Sequence, residues 1–311
     1  MSHSHEHHGH SHHHNHFHSG EMKQLSRAFI FGIALNALFV LAEGIAGFMT
    51  NSLALISDAG HNLSDVAGLA LALFAFRLAK SKSDKTFTYG YSKTTILAAL
   101  ANATILLIAM GGVGYEAIQR LIKPQPTEGT VMAIVAAIGI VINTASALLF
   151  LRQKDDDLNA KGAYLHMAGD ALISFGVVVA GIIIYYTHWY WLDSAISLVI
   201  MLVIIYGTWG LLTDSIRLSL DAVPRNVEVQ KVKEELLLVA GVNGLHHIHV
   251  WALSTQTNAI TAHLVIDEKL NATEEQKLKE KIKHKLQHLN IQHATLETER
   301  GDFVCKEEEC E

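Results

Sequence analysis

The chain has 311 residues, of which 50% are apolar and only 17% charged, with a formal net charge of -6. Soluble domains carry about a quarter charged residues, so this balance excludes an ordinary soluble protein, and the lack of a basic excess argues against nucleic acid binding. The only cysteines, Cys305 and Cys310, stand close together near the end of the chain and exclude a disulfide framework.

Residues 1–22 open the chain as a low-complexity tail with half of its 20 histidines. Such a segment buries no core and is expected to be disordered. The histidines alternate with Ser, Gly, Asn and Glu6, which fits a labile sponge for zinc, nickel or copper better than the unbroken run of an affinity tag. No secretory signal is expected, because the first apolar run follows a polar tract and is too long for a signal-peptide core.

Apolar runs at 27–49, 53–78, 94–122, 130–151, 160–187 and 192–216 follow. Each is long enough to cross about 30 Å of hydrocarbon, so residues 23–220 read as six transmembrane helices. Arg77, Lys80, Lys82, Lys85 and Lys93 crowd the second connection, and the fourth is also basic, with Asp155, Asp156 and Asp157 beside it. The first and fifth connections carry no Lys or Arg. By the positive-inside bias both termini are cytoplasmic; Arg120 and Lys123 weaken that asymmetry without reversing it.

Two of these runs carry the same pattern, His61-Asn62-Leu63-Ser64-Asp65 and His166-Met167-Ala168-Gly169-Asp170. Residues four apart share one helix face, about 6 Å apart. Each ionisable group in hydrocarbon costs about 3 kcal/mol on insertion scales, so four at matched spacing need a partner. A divalent cation is one, held by two imidazoles and two carboxylates. This donor set favours zinc, then cadmium or cobalt; the missing thiolates argue against copper(I), and the two nitrogens against magnesium or calcium. Asp58 lies near the same face, as an outer-shell partner, a proton acceptor or a buried interhelical hydrogen bond. Asn36, Glu43, Asn102 and Asn143 read as polar contacts between helices.

The composition changes at Asp221-Ala222-Val223-Pro224. Residues 221–300 read as a small soluble domain of order α-β-β-α-β, a ferredoxin-like α+β fold with helices on one sheet face. Strands are expected at 245–253, 259–266 and 293–299, with Thr273 and Gln276 as a capping box before the second helix. Period-2 alternation places His247 and His249 opposite Ile248 and Val250, and His263 opposite the core face. His249 and His263 then converge across paired strands, with Glu297 and Glu299 on one face of the last strand, so a second metal site is a candidate beside the alternative of solvated surface histidines. His284 and His288 read as exposed. Residues 301–311 form an acidic tail containing both cysteines.

Ser57-Asp58-Ala59-Gly60-His61-Asn62-Leu63-Ser64-Asp65, Leu165-His166-Met167-Ala168-Gly169-Asp170 and His246-His247-Ile248-His249-Val250-Trp251 together resemble the cation diffusion facilitator family. The resemblance implies a homodimeric antiporter in a bacterial inner membrane, exchanging cytoplasmic Zn2+ for protons by alternating access. It further implies that His61, Asp65, His166 and Asp170 are transport ligands, and that the cytoplasmic domain dimerises and senses zinc near His249, His263 and Glu299. Some members carry a loop histidine where Tyr91 stands here, which puts a loop metal site in doubt. The readings from other classes are an intramembrane zinc metalloenzyme, for which no His-Glu-x-x-His motif is present, and a membrane metal sensor.

Overall fold

A computed structural model describes residues 37–151 and 158–300. The histidine-rich tail, residues 27–36 of the first apolar run, residues 152–157 of the basic connection and the cysteine-containing tail lie outside the described residues. The first described helix, α1, is Ala37–Thr50. It is followed by α2 (Leu53–Ala79), α3 (Thr94–Ile122), α4 (Gly129–Phe150), α5 (Leu158–Thr187) and α6 (Trp191–Ser219). Helices α2 to α6 are each long and apolar enough to cross a membrane, and the described part of α1 is shorter. Their hydrophobicity runs all round: Leu55, Met110, Met132, Ile184 and Ile204 fill the interior while Phe48, Ile108, Leu172 and Tyr206 point outward. Outward-facing apolar side chains at this density are what a lipid environment stabilises.

Helix α4 packs mainly on α5, and α3 on α6 and α2. The α4–α5 approach depends on small residues, because a Cβ at Gly181 would lie 2.7 Å from the Gly129 carbonyl oxygen and 2.9 Å from the Ala133 nitrogen. Close backbone approach of this kind maximises dispersion contact where lipid supplies no hydrophobic drive. Helix α2 is fixed differently. Its first amides, Leu53 and Ala54, donate to the buried Asp193 carboxylate of α6 at 2.7 and 3.2 Å, and Ser52 donates to it as well at 2.5 Å. An anion across a helix N-terminus satisfies orphan donors and the helix dipole together. Ser57 and Ser197 add a contact at 2.7 Å, so α2 is locked to α6 at the end from which its His-x-x-x-Asp segment follows.

The C-terminal domain contains α7 (Val229–Leu237), β1 (Val242–Ala252), β2 (Asn258–Ile266), α8 (Ala272–His288) and β3 (His293–Arg300). The sheet order is β1-β2-β3, with β1–β2 antiparallel and β2–β3 parallel. Val232 and Leu236 of α7 and Leu278, Ile282 and Leu286 of α8 cover Val250, Ile260, Ala262, Leu264 and Ile266 on one sheet face. The capping box of α8 lies two residues earlier than Thr273 and Gln276 would place it. Asn271 accepts from the Thr273 and Glu274 amides, and Glu274 accepts from the Asn271 amide. Asn is the stronger N-cap, and its extended backbone leaves Thr273 already inside the first turn.

Glu275 joins α8 to β3, accepting from Lys279 at 2.8 Å and from Thr298 and Arg300 at 2.7 Å each. These donors hold its carboxyl well below the usual range, at about 2. A depressed carboxyl stabilises the fold above its unfolded value and loses that contribution as pH falls through the folded one. Glu275→Gln is therefore expected to speed hydrogen exchange of β3 amides at neutral pH, an effect of under about 1 kcal/mol because water screens the group. The difference from wild type at equal pH should vanish between pH 4.5 and about 2.

The two parts meet at several polar contacts. Lys93 at the start of α3 pairs with Asp221 at 2.5 Å, the Thr255 amide donates to Thr95 at 3.1 Å, and Tyr89 stacks edge-on against His293 at 5.4 Å. In the α2–α3 connection Asp84 accepts from the Thr86 and Phe87 amides at 2.7 Å each and from the Tyr91 hydroxyl at 3.3 Å. Those amides keep the Asp84 carboxyl below its ordinary range, and the Asp84 charge raises the Tyr91 phenol. Tyr91 thus closes a turn, and no metal-ligand cluster is found here among the described residues.

Candidate metal centres

The anchoring of α2 on α6 turns His61 and Asp65 toward α5, where His166 and Asp170 face back. His61 Nε2 lies 3.6 Å from Asp65 Oδ2 and 3.7 Å from Asp170 Oδ1; His166 Nε2 lies 3.1 Å from Asp65 Oδ2 and 3.7 Å from Asp170 Oδ2. The imidazoles meet edge-on, centroids 5.7 Å apart. Ligand atoms of His61, His166 and Asp170 all lie within 4.8 Å of one another, and Asp65 closes the fourth side. Donors this far apart around one point leave room for a tetrahedral ion at about 2.0–2.2 Å from each.

The four donors are unequally accessible. Asp170 is 4% exposed at its side chain and His61 14%, whereas Asp65 is 37% and His166 40% exposed. A cavity of about 420 Å³ lies against them, lined also by Asn102, Gly207 and Thr208. A second cavity of about 600 Å³ shares Asp65 and Asn102 with it and extends to Thr255 and Gln256 of the C-terminal domain. The second cavity thus joins Asp65 to the side of the C-terminal domain, and Asp170 is absent from its lining. Asp58 is not at the ion position. It is buried a turn away, accepting from Ser174 at 3.1 Å and Asn62 at 3.4 Å.

The C-terminal domain holds another cluster, with a different membership from the expected one. His263 Nδ1 lies 2.7 Å from Glu299 Oε1, and His246 Nε2 lies 3.2 Å from Glu299 Oε2. His246, His263 and Glu299 bring ligand atoms within 4.8 Å of one another, and His249 is not among them. The reason is a bulge in β1. His246 pairs with His263 but His249 pairs with Thr261, three residues on one strand against two on the other, and His247 takes a positive φ of 50°. An extra residue shifts the alternation, so His246 joins the histidine face that strict period-2 counting denies it. His249 is exposed and one pair further along. His247 lies 5.0 Å ring to ring from His263, and Glu297 lies 3.5 Å from His263 Nε2. His246 Nε2 and Glu299 Oε2 are buried without a hydrogen bond of ordinary geometry, an arrangement that a cation between them would satisfy. His284 and His288 meet edge-on at 4.8 Å on the outer side of α8, away from this cluster.

Apolar membrane-length helices around a four-donor intramembrane centre define an integral membrane protein that handles metal ions. Residues 29–218 match the cation efflux transmembrane domain and residues 224–300 the cation efflux protein cytoplasmic domain. The chain belongs to the cation efflux family, whose members are transporters and not enzymes. It is 39% identical over 280 residues to the metal cation efflux system protein CzcD of Cupriavidus metallidurans, covering 89% of each chain. It is 35% identical over 263 residues to a cadmium, cobalt and zinc/H(+)-K(+) antiporter of Bacillus subtilis, covering 84% of this chain and 85% of that one. With the zinc transporter ZitB of Escherichia coli it shares 33% identity over 277 residues, 88% of this chain and 87% of the relative.

Proposed function

We propose that the protein is a proton-coupled exporter of zinc, with cadmium and cobalt as further substrates. The carrying observation is the convergence of His61, Asp65, His166 and Asp170 from two helices onto one point, beside a cavity that adjoins a second one reaching the C-terminal domain. Four filled positions suit carriage, whereas a catalytic zinc keeps one position for water. Relatives whose names specify cadmium, cobalt and zinc support the same range of ions. In this reading α1 is the described part of a sixth span, both termini face the cytoplasm, and the membrane is the bacterial inner one. The C-terminal domain, a variant of the ferredoxin-like fold, joins two copies into a homodimer and binds regulatory zinc. That reading draws on the match to the cation efflux cytoplasmic domain and on the His246, His263 and Glu299 cluster.

The mechanism follows from competition for the same atoms. Imidazole must be neutral to ligate, and each Nε2 here already faces a carboxylate that welcomes a proton in the metal's place. Protons on the low-pH side displace zinc, and zinc on the cytoplasmic side displaces protons. Alternation of the open side then exchanges one for the other. Protein reconstituted with its C-terminal domain outward should load zinc into vesicles of acidic lumen while the luminal pH rises. Zinc uptake with no change in luminal pH would reject antiport.

For the second centre, His246→Ala with His263→Ala is expected to remove zinc binding from the C-terminal domain, a loss of at least about 3 kcal/mol or a hundredfold in affinity. His249→Ala should leave it within about threefold of wild type. Zinc-dependent shortening of inter-subunit distances, followed by paired spin labels, reads both variants, and equal loss in the two would put His249 back among the ligands.

A further inference from the structure

One helical turn from His61 toward the α1–α2 connection, two carboxyl groups that the metal centre does not use are packed together. Glu43 of α1 is 0% exposed and Asp58 of α2 1%. They meet because α1 and α2 run antiparallel at close range, with Gly44 against Ala59 and Gly47 against Leu55 and Ile56. A Cβ at Gly47 would lie 2.9 to 3.1 Å from those two residues, so the approach is set by backbone shape and not by the acids themselves. Asp58 accepts hydrogen bonds from Ser174 and Asn62. Among the described residues, none donates to Glu43 with ordinary geometry at either oxygen. The polar groups facing it are the Asp58 carboxyl and the Asn62 amide, with Asp170 of α5 acting through space. Asp58 feels Asp170 and His61 in the same way. Among the described residues, no Lys or Arg acts on either acid.

Two carboxylates packed together, buried and with no cation beside them among the described residues, repel at a strength that low-dielectric surroundings do not screen. A hydrogen between their oxygens removes the repulsion and supplies the donor that Glu43 lacks. We propose that Glu43 and Asp58 form a proton-binding site of this transporter, holding one shared proton while the metal centre is empty and releasing it when zinc arrives. The proposal rests on the reading of His61, Asp65, His166 and Asp170 as transport ligands. Its coupling element is Asp170, which belongs to the metal centre and lies one turn along α5 from Ser174, the residue that donates to Asp58 at 3.1 Å. Its negative charge favours a proton on the pair; a divalent ion bound to it cancels that charge and withdraws the favour. Only an O–H bond breaks. The proton leaves to water in the cavity beside the metal centre, and the pair gains one negative charge.

Infrared difference spectra of the full-length protein in detergent, with zinc minus without, test this directly. The metal-free protein should show the C=O stretch of a protonated carboxylic acid, and zinc should abolish it. Isotopic labelling of glutamate and aspartate carboxyl carbons assigns the band in unmutated protein, and Glu43→Gln should remove it while lowering the protons released per bound zinc by one. Where Glu43→Gln does not fold, the labelled wild-type spectra decide alone. Co2+ absorption in the same samples reports filling of the metal centre, so failure of the ligand assignment is seen separately. Absence of the band in metal-free protein, or a band that persists when Co2+ fills the centre, overturns the proposal.

Discussion

Asp170→Ala is expected to abolish pH-driven zinc flux, by more than about a hundredfold, while the protein inserts and dimerises normally. Its side chain is the most buried of the four donors, and its two oxygens face His61 and His166 separately at 3.7 Å each. Removing it takes one donor from four and cancels half the negative charge that offsets a divalent ion. The fold is spared because an ionisable group in hydrocarbon costs about 3 kcal/mol to insert, a cost the substitution also removes. Asp65→Ala should lose flux to a similar extent, although its greater exposure leaves room for a water ligand. Flux in proteoliposomes, with size-exclusion profiles as the control for folding, checks both variants. Full flux in either would take that residue out of the transport site.

His61→Asp should shift selectivity toward harder ions. The substitution keeps four ligands but turns two nitrogens and two oxygens into one nitrogen and three oxygens, with one more negative charge. Imidazole favours zinc, whereas carboxylate-rich sites are relatively better for Mn2+. His61 is placed for this test, because its Nε2 faces both Asp65 and Asp170 and its ring is only 14% exposed. The shorter Asp side chain also loosens the site, so zinc flux should fall even as the ratio of manganese to zinc flux rises about tenfold or more, equivalent to about 1.4 kcal/mol of discrimination. Competitive uptake in one vesicle preparation measures that ratio. A ratio equal to wild type would mean that His61 neighbours the ion without binding it.

The candidate metal centre was legible in the sequence as a cluster, because ionisable residues stand out against hydrocarbon-length apolar runs, and because a spacing of four fixes a shared helix face whatever the tertiary packing. Asp193 is also ionisable within an apolar run but belongs to no motif, and its role as the cap of α2 needed the fold, since its partners Ser52, Leu53 and Ala54 are remote in sequence. The strands of the C-terminal domain were legible from alternation. The membership of their histidine cluster was not: the bulge hangs on a positive φ at His247, a residue type that gives no local signal for it. Glu43 and Asn102 carried a weak signal as polar residues in apolar runs. What each does depends on close helix approach, Glu43 through Gly44 and Gly47, and Asn102 through Gly68, whose Cβ would lie 2.6 Å from the Asn102 amide nitrogen. Thr208 lines the metal cavity without any sequence mark.

In the proposed transport site one zinc ion sits among His61, Asp65, His166 and Asp170. X-ray absorption at the zinc edge measures it most directly, using protein freed of competing sites by deletion of residues 2–18 and by His246→Ala with His263→Ala. With one equivalent of zinc, four nitrogen and oxygen donors at about 2.0–2.1 Å are expected, with the outer-shell scattering of two imidazoles. Asp170→Ala in the same background should lose one oxygen donor or replace it by water. A six-coordinate, water-rich zinc, or a spectrum unchanged by Asp170→Ala, would contradict the assignment.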